Sequence, residues 1–168
     1  MGSKEKNILW APWRMEYILC DDDDGCLFCE KPKLDRDEEV QILHRSTHSF
    51  VMMNKYPYNN GHLLVAPYRN LAEIESLSQE EMLDLLKVTQ LCVTVLKEEL
   101  SPQGFNIGTN IGDIAGAGVK EHFHLHIVPR WKGDTSFMPV VGETAVMPQA
   151  LSETYGKLKR RFDARPAG

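Results

Sequence analysis

The chain has 168 residues, of which 42% are hydrophobic, and 24 acidic against 19 basic side chains give a formal charge of −5. That is the size of one domain with enough apolar surface for a core, and its acidity offers no overall attraction to nucleic acid or membrane, so any anion must find a local cationic pocket. No apolar run nears the roughly 20 residues of a membrane span, MGSKEKN lacks a signal-peptide apolar region, and Cys20, Cys26, Cys29 and Cys92 are too few and uneven for a secreted disulfide scaffold; the expectation is a cytoplasmic protein.

In chain order, NILWAPWRMEYIL gathers Trp10, Trp13 and Tyr17 beside Arg14 and reads as an N-terminal arm packing on the core or on a partner subunit. An acidic loop at 21–24 closes at Gly25 and lacks the ligand alternation of a calcium loop. Cys26 and Cys29 then form a Cys-x-x-Cys pair, half of a zinc site that needs two further ligands. VQILHR (40–45) and SFVMMN (49–54) read as a hairpin. Turn residues Pro57, Asn60 and Gly61 lead into a third strand, HLLVAP (62–67).

Ser78 and Glu81 carry a capping-box spacing, and Met82, Leu85, Leu86, Thr89, Val93, Leu96 and Leu100 recur at helical intervals with Cys92 in the apolar pattern. This long helix should stop near Ser101, because the residue before Pro102 is pushed out of helical conformation. GFNIGTN (104–110) reads as a fourth strand. The run that follows is punctuated by Gly108, Gly112, Gly116 and Gly118, and can bring bare backbone N–H groups to an anion. HFHLHIVPR (122–130) is the fifth strand: alternation puts His122, His124, His126 and Val128 on one face and Phe123, Leu125 and Ile127 on the other. After Trp131 periodicity is lost until Pro148, where Leu151, Tyr155, Leu158 and Phe162 mark a C-terminal helix. The reading is a single α+β domain over 1–168, with an N-terminal arm and acidic loop (1–25), a core (26–135) and a C-terminal loop and helix (136–168).

Three imidazoles on one strand face suit a nucleophile with helpers, or a metal site. Strict alternation after a glycine-rich turn favours a functional face over filler. Arg130, Trp131 and Lys132, at the end of the strand, are placed to attract or wall in an anionic substrate.

The seven residues from His122 to Val128 match His-φ-His-φ-His-φ-φ, with φ apolar, without a mismatch, and the chain here resembles the histidine triad (HIT) family. APWRMEYI further resembles the N-terminus of a bacterial branch that includes diadenosine tetraphosphate phosphorylases. The resemblance implies a HIT-like fold of about five antiparallel strands, one long helix and a C-terminal helix, paired into a homodimer through an edge strand and the long helix. It implies that His124 attacks the α-phosphorus of a dinucleoside polyphosphate, oriented by a backbone carbonyl near His122, and that His126 contacts the phosphate or assists the leaving group. It assigns Asn54 to the ribose, Asn110 to phosphate oxygens, the backbone at Gly116, Gly118 and Val119 to the phosphate-binding turn, and His62 to support of the triad from behind.

Some members complete the cysteine pair for structural zinc with the first triad histidine, here His122, and a histidine that this chain replaces by Asn70. Cys26, Cys29 and His122 remain as candidate ligands, with His44 or His48 as substitutes; no organic cofactor is implied. Water as acceptor would make the protein a hydrolase, and phosphate would make it a phosphorylase releasing ADP and ATP, which ranks slightly first. Many hydrolases of the family carry glutamine where this chain has Gly118. The alternatives are a phosphoramidase acting on P–N bonds, a hexose-phosphate uridylyltransferase, against which His126 argues, and a non-catalytic nucleotide sensor.

Overall fold

The computed structural model describes residues 25–134 and 150–165. The aromatic arm, the acidic run, the segment after Asp134 and Pro148 lie outside them. Five strands, β1 (Ile42–Arg45), β2 (Ser49–Met53), β3 (Leu63–Pro67), β4 (Gly104–Gly108) and β5 (Leu125–Arg130), form one antiparallel sheet in the order β1-β2-β3-β5-β4. The α-helices among the described residues are two short turns, α1 (Leu27–Glu30) and α2 (Asp37–Val40), the long α3 (Gln79–Leu100) and the C-terminal α4 (Leu151–Asp163).

Period-two alternation explains why the sheet is buried on both faces. In β2, Val51 and Met53 join Leu43, Leu63, Val65 and Ile127 in a cluster with α3 and α4, while Phe50 and Met52 join Ile42, Leu64 and Ala66 in a second cluster with Phe28 of α1. Each fully buried Leu or Phe contributes about 1.5–3 kcal/mol, so the C-terminal helix, which inserts Leu158 and Phe162, is part of the core. Tyr155 of that helix donates its hydroxyl to the Ile42 carbonyl (2.9 Å).

The expected capping box opens α3: the Glu81 N–H donates to Ser78 Oγ (3.2 Å) and the Ser78 N–H donates to the Glu81 carboxylate (2.8 Å). Arg69 also grips that carboxylate, and its guanidinium first, then the Ser78 N–H, holds the Glu81 carboxyl down at about 2. The helix ends at Ser101, in left-handed conformation ahead of Pro102. Its inward row is Leu85, Val88, Cys92, Val95 and Leu96, which corrects the expected face: Met82 and Leu86 are 42% and 63% exposed. The apolar positions of α3 extend beyond the row that meets the core.

Gly61 enters β3 with φ +74, where a β-carbon would stand 2.5 Å from Leu100 Cδ1, so both conformation and space demand glycine. Pro129 lies within β5, and its carbonyl accepts from Asn59 Nδ2 (3.1 Å). The β3 ladder has already ended at the pair Leu63 and Ile127, and Pro129 pairs with Phe105 of the edge strand β4. Strand β5 begins at Leu125 rather than at His122. The stretch before it is held by a loop, with the Phe123 N–H on the Leu71 carbonyl (2.6 Å), yet alternation persists because Phe123 and Ile127 enter the α3 cluster.

Candidate active site

His126 pairs with Leu64 in the sheet register, which puts it on the face of the Phe28 cluster, away from α3. The His124 and His126 ring centroids lie 4.9 Å apart, and Phe28 tilts over His124 at 4.7 Å and over His122 at 5.2 Å. His122 and His124 are buried under Phe28 of α1, with His126 beside His124.

Backbone groups set the tautomer of each ring. A carbonyl can only accept, so a ring nitrogen bonded to one must carry the proton. His124 Nδ1 donates to the His122 carbonyl (2.8 Å), leaving the Nε2 lone pair for attack. His122 Nε2 donates to the Pro67 carbonyl (2.8 Å), leaving Nδ1 as its acceptor. At the other end a backbone N–H reverses the logic: Tyr58 N–H donates to His62 Nδ1 (3.1 Å), so neutral His62 carries its proton on Nε2 and donates to His126 Nδ1 (2.9 Å). His126 therefore presents Nε2–H, a donor. The site combines one imidazole with a free lone pair and a neighbour that offers a proton.

Burial keeps these rings neutral. It pushes His62 down to about 3 and His126 to about 4, helped by the neighbouring imidazoles, and it lowers His122 and His124 against the pull of their carbonyl partners. Neutrality at physiological pH is what a nitrogen nucleophile requires.

The remaining expected residues distribute unevenly. Asn54 Nδ2 lies 3.3 Å from His62 Nδ1, so it abuts the relay. Asn110 donates weakly to the Gly116 carbonyl (3.4 Å) across the glycine loop, where Gly116 has φ +82. Val119 packs against the Phe28 cluster. Gly118 lies two residues after Gly116 in that same loop. Trp131 is half-buried, its backbone N–H on Asp134 (3.1 Å). Arg130 is engaged by the Asp134 carboxylate and by Asn106.

Cys26, Cys29 and His122 bring their ligand atoms within 4.8 Å of one another. Cys26 Sγ and Cys29 Sγ lie 3.2 and 3.5 Å from His122 Nδ1. The fourth neighbour is Asn70, whose amide stands 3.3 Å from both Cys29 Sγ and His122 Nδ1. The suggested substitutes do not reach the cysteines: His44 stacks on Phe162 across the sheet, and the His48 backbone bonds Asp84. Sequence reasoning missed Phe28 and Tyr58, which lies 5.8 Å from His126 in a stacked arrangement. The Cys-x-x-Cys frame around Phe28 and the nearness of Tyr58 to His62 were their only signals.

The HIT domain profile matches residues 36–133. A protein of Mycobacterium tuberculosis named AP-4-A phosphorylase is 38% identical over 94% of this chain and 85% of its own length. Bis(5'-adenosyl)-triphosphatase of Dictyostelium discoideum is 36% identical over 57% of this chain and 64% of its own. Among solved structures, a histidine triad nucleotide-binding protein of Sulfolobus tokodaii superposes with a TM-score of 0.64 at 27% identity, covering 83% of this chain and 90% of that one. With the triad, the five-stranded sheet and these likenesses together, the chain belongs to the HIT domain family.

Proposed function

We propose that the protein transfers a nucleotidyl group from dinucleoside polyphosphates of the diadenosine tetraphosphate type, through a nucleotidyl-histidine at His124, to inorganic phosphate. The observation that carries this reading is the tautomer of His124, protonated at Nδ1 by its bond to the His122 carbonyl and bare at Nε2. Nε2 attacks the α-phosphorus; the N–P bond forms as the bond to the departing ATP breaks, with His126 Nε2–H donating to phosphate oxygen at the leaving side. Orthophosphate then attacks the same phosphorus, the N–P bond breaks, ADP leaves, and His124 regains its lone pair. Asn54 meets the ribose, Asn110 and the backbone at Gly116, Gly118 and Val119 meet phosphate oxygens, and Trp131 walls the site.

The extent of likeness to the mycobacterial phosphorylase supports phosphate as acceptor. Hydrolysis is the second reading, supported by the likeness to the Dictyostelium triphosphatase. Product analysis with diadenosine tetraphosphate separates the two. ADP and ATP, formed only when phosphate is supplied, are expected; AMP and ATP would establish hydrolysis. Binding without turnover, equal in wild type and His124→Ala, would make the protein a nucleotide sensor.

Cys26, Cys29 and His122 fit a structural zinc: two thiols and an imidazole nitrogen converge, and the His122 Nε2–H on Pro67 resembles the outer hydrogen bond that orients metal-bound imidazoles. Bound zinc would cross-link α1 to the start of the triad run. About one zinc per chain is expected on elemental analysis, and none would remove the proposal. A homodimer through β4 and α3 is supported by the edge position of β4, with Ile107 48% exposed, and by Leu86 on α3. Light scattering of Ile107→Lys against wild type tests it. No described helix is long and apolar enough to cross a membrane, and we place the enzyme in the cytoplasm.

A further inference from the structure

The cleft continues past His126. Register sets Gly108 of β4 opposite His126 of β5 and Asn106 opposite Val128, and directly paired residues share a sheet face, so these four form one surface. With Tyr58 and Asn110 they line a cavity of about 250 Å³. That is room for one end of a substrate, since pockets for whole drug-sized ligands run to roughly 300–1,000 Å³. Its floor is bare, because a β-carbon added at Gly108 would meet nothing within 4 Å. Tyr58 forms a wall, stacked on His126 at 5.8 Å. In a chain with 24 acidic side chains, none of the described residues lining this cavity is a carboxylate, so nothing in the lining repels an anion.

Arg130 sets the amide of Asn106 by the same logic that sets the histidine tautomers. A guanidinium can only donate, so the Asn106 atom that meets Arg130 Nη1 at 2.7 Å is the oxygen. The Nδ2 hydrogens of Asn106 are left without a hydrogen-bond partner among the described residues. Arg130 is itself fixed by two bonds to the Asp134 carboxylate (2.6 and 2.9 Å), so the amide is supported from behind. The cavity therefore has a neutral donor toward each end, His126 Nε2–H and Asn106 Nδ2. Two donors on one face suit a group with several acceptor oxygens.

In-line displacement puts the entering and departing groups on opposite sides of phosphorus. With His124 on one side, the group that leaves in the first half of the reaction and the group that enters in the second must share the other. The cavity is lined by His126 and not by His124, which gives it that position. We propose that it is a phosphate subsite adjoining the α-phosphorus, with Asn106 as its oriented donor, holding first the nearest phosphate of the leaving nucleotide and then orthophosphate, and so favouring phosphate over water as acceptor. Its role in turnover rests on the nucleotidyl-transfer reading. In the second step an orthophosphate oxygen bonds to phosphorus, the N–P bond breaks with its electron pair returning to His124 Nε2, and the former orthophosphate leaves as the β-phosphate of ADP.

The test compares wild type with Asn106→Ala and Asn106→Asp. The aspartate keeps the size and the acceptor for Arg130 but removes the donor, so it separates support of β4 from contact with phosphate. Calorimetric titration with AMP and ADP isolates the subsite, because ADP adds one phosphate beyond the α-phosphate. Both variants should lose about tenfold in affinity for ADP, as expected for a hydrogen bond to a charged group, with AMP affinity unchanged. In turnover of diadenosine tetraphosphate, the KM for orthophosphate should rise about tenfold, and at fixed phosphate the products should shift from ADP toward AMP. A merely structural role for Asn106 would not move that partition. Wild-type ADP affinity in both variants overturns the subsite. Weakened ADP binding with an unchanged KM for orthophosphate overturns its use by the acceptor. A wild type whose turnover does not depend on phosphate, in which the substitutions still weaken ADP and spare AMP, overturns phosphate as acceptor and leaves the subsite standing.

Discussion

His62 donates its Nε2–H to His126 Nδ1 across 2.9 Å, and that bond decides which nitrogen of His126 carries a proton into the cleft. Remove it and His126 can adopt either tautomer or rotate. His62→Ala should therefore lower kcat by about 100-fold, the low end of what a positioned general acid contributes, with KM little changed. A KM effect alone would mean that His62 serves binding and not proton placement. Steady-state kinetics of the folded variant distinguish the two.

Stability should fall in acid earlier than carboxylate titration accounts for. His62 and His126 are held down at about 3 and about 4 by burial, below the ordinary histidine value of 6.5. Each contributes stability that is complete above pH 6.5 and is lost as pH falls from there through the folded-state value, since the unfolded chain binds the proton first. Urea denaturation at pH 8, 6 and 4.5 should show a declining midpoint across that series, and His62→Phe should flatten the decline.

Asn70→His should convert a three-ligand cluster into a four-ligand one. The Asn70 amide already stands 3.3 Å from both Cys29 Sγ and His122 Nδ1, so an imidazole there supplies the missing donor type. The variant should hold zinc more tightly than wild type in competition with a chromophoric chelator and melt higher when metal-loaded. Unchanged zinc affinity would show that the fourth corner is not at residue 70.

Gly61→Ala should destabilise the fold by about 2 kcal/mol or more, combining left-handed backbone strain with overpacking, because the new methyl would meet Leu100 Cδ1 at 2.5 Å and Leu96 Cδ2 at 3.2 Å. Chemical denaturation measures it, and a double variant with Leu100→Ala should recover part of the loss.

Much of this was legible in the residues. The cap at Ser78, the strand runs and the alternation of His122, His124 and His126 are local signals, and local signals survive folding. The cysteine pair announced half a site and the family resemblance pointed to Asn70 at its fourth corner; the fold brings that residue, 41 positions from Cys29, to the cluster. The inward row of α3 was hidden because Met82 and Leu86 are as apolar as Leu85 and Val88; the choice between rows belongs to the sheet below. Phe28 was unreadable for a similar reason: a four-residue helix has no period of its own, and what it covers is decided by tertiary packing. The resemblance pointed to a carbonyl near His122 as the partner of His124, but the tautomers of His122 and His62 could not be read, since each depends on a carbonyl or N–H supplied by another part of the chain, Pro67 for His122 and Tyr58 for His62.

The register of β5 decides which way the triad faces. Side chains alternate along a strand, so a one-residue slip of β5 against β3 would turn the whole histidine row toward α3 and offer Phe123, Leu125 and Ile127 to the nucleotide. The β3 ladder holds the pairs Leu63 with Ile127, Leu64 with His126 and Val65 with Leu125, and on the other side β4 adds five more, from Gly104 with Arg130 to Gly108 with His126. A slip would therefore have to break both ladders together. His126, paired with Leu64 on one side and Gly108 on the other, is clamped into its facing by two strands at once.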